Sequence, residues 1–87
     1  MSATSLLQFP CDFPIKVMGV SDPQFRALVV ERVRRHAPDL DEARVLVRDS
    51  RAGRYQSVTV TICARDRAQL DALYCDLSGH PQIKMVL

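Results

Sequence analysis

The sequence contains no asparagine, only two lysines, and no pair of cysteines at C-x-x-C spacing. Without asparagine, no side-chain amide of that kind can position an attacking water, which removes one class of phosphohydrolase chemistry. The three cysteines, Cys11, Cys63 and Cys75, are odd in number and far apart, unlike zinc or redox sites. They read as reduced thiols, and the chain as cytoplasmic. No apolar run approaches the roughly 20 residues of a membrane span, and the first residues lack the basic start and apolar run of a signal peptide. With Lys16 and Lys84 the only lysines, ten of the twelve basic residues are arginine. Arginine suits bidentate contacts to carboxylate or phosphate, although a GC-rich genome produces the same bias. A net charge of +2 argues neither for nor against an anionic partner.

What is present is an ordinary globular composition, 47% apolar and 25% charged. At 87 residues there is room for one domain with one two-layer core. Residues 1–12 are expected to form an extended lead-in, because Pro10 and Pro14 keep their neighbours out of helix geometry. Leu6 and Phe9 are placed to seal one end of the core. Residues 13–87 are expected to form the single domain.

Phe13, Ile15 and Val17 alternate with Pro14, Lys16 and Met18, the period of a strand with one buried face. That strand is expected to stop at Gly19. Ser21 or Asp22 then reads as an N-cap, with Pro23 at the first helical position. Phe25, Leu28, Val29 and Val33 form the apolar stripe of a first helix, with His36 in its last turn and Pro38 beyond its end. In residues 43–49, Val45 and Val47 face in, while Arg44, Leu46 and Arg48 face out. Ser50 to Gly53 is a hairpin turn, with Gly53 available for a positive φ. The β-branched run from Tyr55 to Ala64 is the strongest strand. Asp66 and Gln69 have the form of a capping box, and Leu70, Leu73, Tyr74 and Leu77 form a second helical stripe. Gly79 is expected as a left-handed cap, followed by a last strand over residues 82–87.

The order strand, helix, strand, strand, helix, strand predicts an α+β fold, the ferredoxin-like βαββαβ sandwich. Right-handed crossovers put both helices on one face of an antiparallel sheet of order 4-1-3-2. The opposite face is left without a helix. It is expected to carry Lys16, Met18, Arg44, Leu46, Arg48, Ser57, Thr59, Thr61, Cys63 and Lys84, a mixed and mildly basic surface.

Known chemistries on this architecture place distinct demands on its residues, and fold alone implies none of them. Base stacking on RNA needs aromatic rings on the outer face of the third strand; Ser57, Thr59 and Thr61 stand there, with Tyr55 at the hairpin. A basic rim of Arg44, Arg48, Arg51 and Arg54 is left to contact phosphate without reading sequence. An acylphosphatase loop has Gln where this chain has Met18 and needs the missing asparagine. Neither His36 nor His80 has a cysteine or serine at catalytic spacing. Small-molecule regulatory domains of the ACT kind bind amino acids at the turn between first strand and first helix. Here that turn carries Gly19 and Ser21-Asp22-Pro23, near amides suited to a carboxylate. The same turn has a structural reading as N-cap plus proline.

Over nearly all of its length the chain resembles the YbeD-like family, small bacterial proteins of unknown function. The residues that carry the resemblance are Leu7–Pro10, Phe13–Gly19, Arg35–Pro38, Tyr55–Thr59, Leu73–Tyr74 and Met85–Leu87. The resemblance implies a ferredoxin-like domain similar to ACT-type regulatory domains. It also implies a place near lipoate metabolism, because the family's genes often neighbour those of lipoate attachment and synthesis.

The reading is of a non-enzymatic regulatory or ligand-binding module, expected to be a homodimer, without cofactor or metal. Lys16, Met18, Gly19, Ser21 and Asp22 are the expected ligand contacts. Arg48, Arg51 and Arg54 are the expected anion contacts. A small-molecule effector or a protein partner is expected to bind. The alternatives are a nucleic-acid binder that uses the arginine hairpin and a dimerisation module.

Overall fold

The computed structural model describes residues 8–87. Four strands and two helices follow in the expected order: β1 (Cys11–Val20), α1 (Phe25–Arg34), β2 (Leu46–Asp49), β3 (Tyr55–Ala64), α2 (Arg67–Ser78) and β4 (Ile83–Val86). A 3-10 turn, Glu42–Arg44, precedes β2. The sheet order is β2-β3-β1-β4, every pairing antiparallel. The sequence-based order 4-1-3-2 is this same arrangement. Among the described residues no helix is long and apolar enough to cross a membrane.

Alternation decides which side chains enter the core. Ile15 and Val17 of β1 and Val58, Val60, Ile62 and Ala64 of β3 lie beneath the helices, all at most 1% exposed. Phe25, Val29, Val30 and Val33 of α1 and Leu70, Leu73 and Leu77 of α2 complete the layer. Leu28, expected in the α1 stripe, is only half-buried, and Val30 takes its place. Burying a side chain of this size contributes about 1.5–3 kcal/mol. Phe9 packs on the margin of this core as expected, whereas Leu6 lies outside the described residues.

Local expectations shift in five places. β1 begins at Cys11, so Cys11 and Asp12 belong to the sheet rather than to the lead-in. It also runs through Gly19 to Val20. Gly19 is needed for space rather than to end a strand. A Cβ there would stand 2.5 Å from both the Gln82 carbonyl oxygen and the Phe25 ring. Helix α1 starts at Phe25 with Gln24 as its N-cap, and no side chain caps it. Asp22 instead accepts from the Gln24 amide at 2.7 Å, while its carbonyl accepts from Phe25. That Asx turn competes with the cap role expected of Asp22. Finally, α1 ends at Arg34, so His36 lies just past it, and Gly79 has φ −83°, not the left-handed cap. Gly53 does take a positive φ, 70°.

The two sides of β3 are treated differently. β1 pairs with the whole of β3 from Tyr55 to Ala64, whereas β2 pairs only with Gln56–Thr59, and the 3-10 turn lies near the same strand.

Candidate functional site

Cross-strand register sets the outer face. Lys16 pairs with Thr59 and Thr59 with Leu46, forming one row. Met18 pairs with Ser57 on one side and Met85 on the other, and Ser57 pairs with Arg48, forming the next row. The second row and the hairpin enclose a cleft of about 220 Å³ lined by Lys16, Met18, Arg48, Asp49, Ser50, Tyr55, Gln56 and Ser57. Ser57 forms a buried part of its wall at 8% exposed, and its hydroxyl makes no hydrogen bond to another described residue.

The ladder between β1 and β4 is irregular. Met18 pairs with Met85, but Gly19 pairs with Ile83, leaving Lys84 as an extra residue. A bulge of this kind re-aims the extra side chain. Lys84 was expected on the outer face; instead it lines a second cleft, also about 220 Å³, with Val20, Ser21, Asp22, Phe25 and Pro81. This cleft adjoins the uncapped start of α1. The Ser21 hydroxyl is buried there and has no hydrogen-bond partner among the described residues, which costs about 1–3 kcal/mol where no water or ligand satisfies it. The Ser21 amide donates to the Arg54 carbonyl at 2.9 Å, so the turn is tied to the hairpin.

The expected ligand residues are therefore divided between two sites. Lys16, Met18 and Arg48 come together in the first cleft, and Ser21 and Asp22 in the second. Gly19 lies between them along β1 and lines neither. Arg51 and Arg54 are exposed on the hairpin and line neither. The role of Lys84 was missed because a bulge arises only when two strands distant in sequence are paired. The excess residue in β4 has no local signature.

A third cluster joins the helices. Asp76 of α2 accepts from Arg32 at 3.1 Å and is hydrogen-bonded to His36 Nε2 at 2.8 Å. The His36 hydrogen bond, reinforced by the Arg32 charge, holds the Asp76 carboxyl below its usual range. The His36 carbonyl accepts from the buried Gln69 amide at 2.8 Å and from Arg65 at 3.3 Å. Although a His–Asp pair can orient a general base, no described hydroxyl or thiol bonds to this imidazole. The cluster therefore ties α1 to α2 without presenting a nucleophile.

Residues 4–87 match the family described as "Protein of unknown function (DUF493)". A UPF0250 protein of Chromobacterium violaceum is 50% identical over 82 residues, 94% of this chain and 92% of that protein. Another from Nitrosomonas europaea is 48% identical over 87 residues, the whole length of both. Among solved structures, protein HP0495 from H. pylori superposes with a TM-score of 0.70 at 11% identity, covering 93% of this chain and 85% of that one. The ACT domain of the GTP pyrophosphokinase of Chlorobium tepidum gives 0.65 at 13% identity, covering 87% and 84%. At these identities the two structures establish a shared fold.

Proposed function

We propose that this chain, which belongs to the DUF493 family, the YbeD-like proteins of unknown function, is a non-enzymatic module that senses a small zwitterion in the cleft beside Ser21. One observation carries the reading: the buried, unpartnered Ser21 hydroxyl lies in a cleft that also holds one carboxylate and one ammonium. Asp22 offers a negative group, Lys84 a positive one, and Val20, Phe25 and Pro81 an apolar wall. This is the complement of an amino acid with an apolar side chain: its carboxylate on Lys84 and Ser21, its ammonium near Asp22. The ACT-like fold supports the reading by analogy alone. The module is assigned to the cytoplasm, in keeping with cysteines that stand as free thiols.

A thermal-shift and NMR titration with the twenty amino acids, lipoate and octanoate tests it. An apolar amino acid is expected to move the Val20, Ser21 and Lys84 resonances. At 100-fold excess over its dissociation constant it should add about 2.7 kcal/mol of stability. Ser21→Ala and Lys84→Ala should each weaken that binding about tenfold, while Ser21→Ala leaves the unliganded stability within about 0.5 kcal/mol. Binding of lipoate or octanoate alone would place the chain nearer lipoate chemistry and discard the ammonium contact. If no compound binds, the sensing role is wrong.

A further inference from the structure

The first cleft and the surface around it have no part in that reading. The outer face of the sheet is uncovered and combines two kinds of side chain. Leu46 is 62% and Met85 51% exposed, with half-buried Met18 between the strands. Lys16 and Arg48 are exposed among them and line the cleft together with Ser57 and Asp49.

The nearby carboxylates are already engaged. Asp12 accepts from Arg44 at 3.3 Å, and Asp49 from the Gln56 side-chain amide at 3.4 Å. Neither Lys16 nor Arg48 has a carboxylate partner among the described residues. The surface therefore presents two cations, Lys16 and Arg48, against the single carboxylate of Asp49 in the same cleft, framed by apolar side chains.

We propose that this face docks a short acidic segment of another protein. One carboxylate of that segment sits over Ser57 between Lys16 and Arg48, and its apolar side chains rest on Leu46, Met18 and Met85. Charge complementarity selects this occupant. A cleft of about 220 Å³ holds one side chain as an anchor, and a central anchor in a pocket with apolar surroundings is how a small interface concentrates its affinity. A second copy of the chain fits less well. Stacked face to face, it would bring two more cations to Lys16 and Arg48 against one carboxylate, Asp49, which already accepts from Gln56. A nucleic-acid backbone satisfies the cations but leaves Leu46, Met18 and Met85 without apolar contacts.

Backbone amide NMR of the full chain separates these occupants. The probes are a synthetic peptide of Glu and Leu at helical spacing, the same peptide with Lys in place of Glu, and an oligouridylate. The acidic peptide is expected to shift Lys16, Met18, Arg48, Tyr55 and Ser57 and to leave Ser21 and Lys84 in place. Lys16→Glu with Arg48→Glu should weaken it about tenfold or more, and added salt should weaken it further. Leu46→Ser should also weaken it, which a purely electrostatic contact would not predict. These three positions are exposed, so the variants are expected to keep the wild-type amide dispersion. The proposal fails if the basic peptide binds as well or if the oligouridylate binds the same amides more tightly. It also fails if those amides shift with protein concentration alone, or if no probe moves them. Because the zwitterion reading is scored on Ser21 and Lys84, either idea can fail without the other.

Discussion

The two helices begin in opposite ways. At the start of α2, Asp66 accepts from the Gln69 amide at 2.8 Å, and the Gln69 side chain turns back to accept from the Arg65 amide at 2.7 Å. The return bond lands one residue earlier than in a standard capping box, but it serves the same purpose. The other end of the Gln69 side chain holds the His36 carbonyl, so one buried residue closes α2 and fastens it to the end of α1. At the start of α1, the N-cap Gln24 contributes no side-chain bond, Asp22 is spent on its own turn, and Ser21 is left unpartnered beside a cleft. The difference teaches that this chain completes the polar contacts of one helix start and withholds them at the other. Among the described residues, the start of α1 is the one that leaves a buried hydroxyl, that of Ser21, without a partner.

Three perturbations bear on that contrast. The largest effect is expected from Gly19→Ala, which forces a methyl against the Gln82 carbonyl and the Phe25 ring. Urea unfolding should show a loss of about 3 kcal/mol. A near-neutral result would mean that the open start of α1 tolerates rearrangement and is not a shaped site. Next is the matched pair Gln69→Ala and Gln24→Ala. Removing Gln69 leaves the Arg65 amide without its acceptor and the His36 carbonyl without its shortest donor, a loss of about 2 kcal/mol by chemical denaturation. Removing the exposed Gln24 should change stability by less than about 0.5 kcal/mol. Equal losses would erase the contrast.

The smallest effect concerns the far end of α1, where Asp76 holds Arg32 and His36. Its carboxyl titrates below the ordinary value of 3.8 in the folded protein. A depressed carboxylate contributes stability that is fully present above the unfolded pKa and is lost as pH falls through the folded one. Urea unfolding of wild type and Asp76→Asn should therefore differ at neutral pH by less than about 1 kcal/mol, given the partial exposure of the pair. The difference should shrink as pH drops below 3.8. A gap that persists in acid would assign the loss to packing instead of charge.

Much of this was legible before any coordinates. Period-two alternation in Phe13–Val17 and Val58–Ala64 located the central strands, and the Asp66–Gln69 spacing located the start of α2. These are local patterns, each contained within a few residues. The site was less legible because its geometry comes from pairings across the chain. Lys84 enters the second cleft through a bulge against Met18 and Gly19, and Lys16 meets Arg48 only because β3 lies between their strands. The cap assigned to Asp22 failed for a local reason, since an Asx turn and an N-cap compete for the same carboxylate. The nearest amide won.

The 3-10 turn at Glu42–Arg44 has a consequence for how the molecule behaves in a crowd. β3 is the segment richest in β-branched residues, and from Val60 onward β2 gives it no partner on that edge. An open edge of that composition can recruit other extended chains and seed their stacking. The turn lies near β3 with helical backbone that cannot extend a ladder, and Arg44 fastens it to Asp12 two strands away. Beside the segment of the sheet most apt to recruit other chains, the backbone thus turns helical instead of adding a further strand.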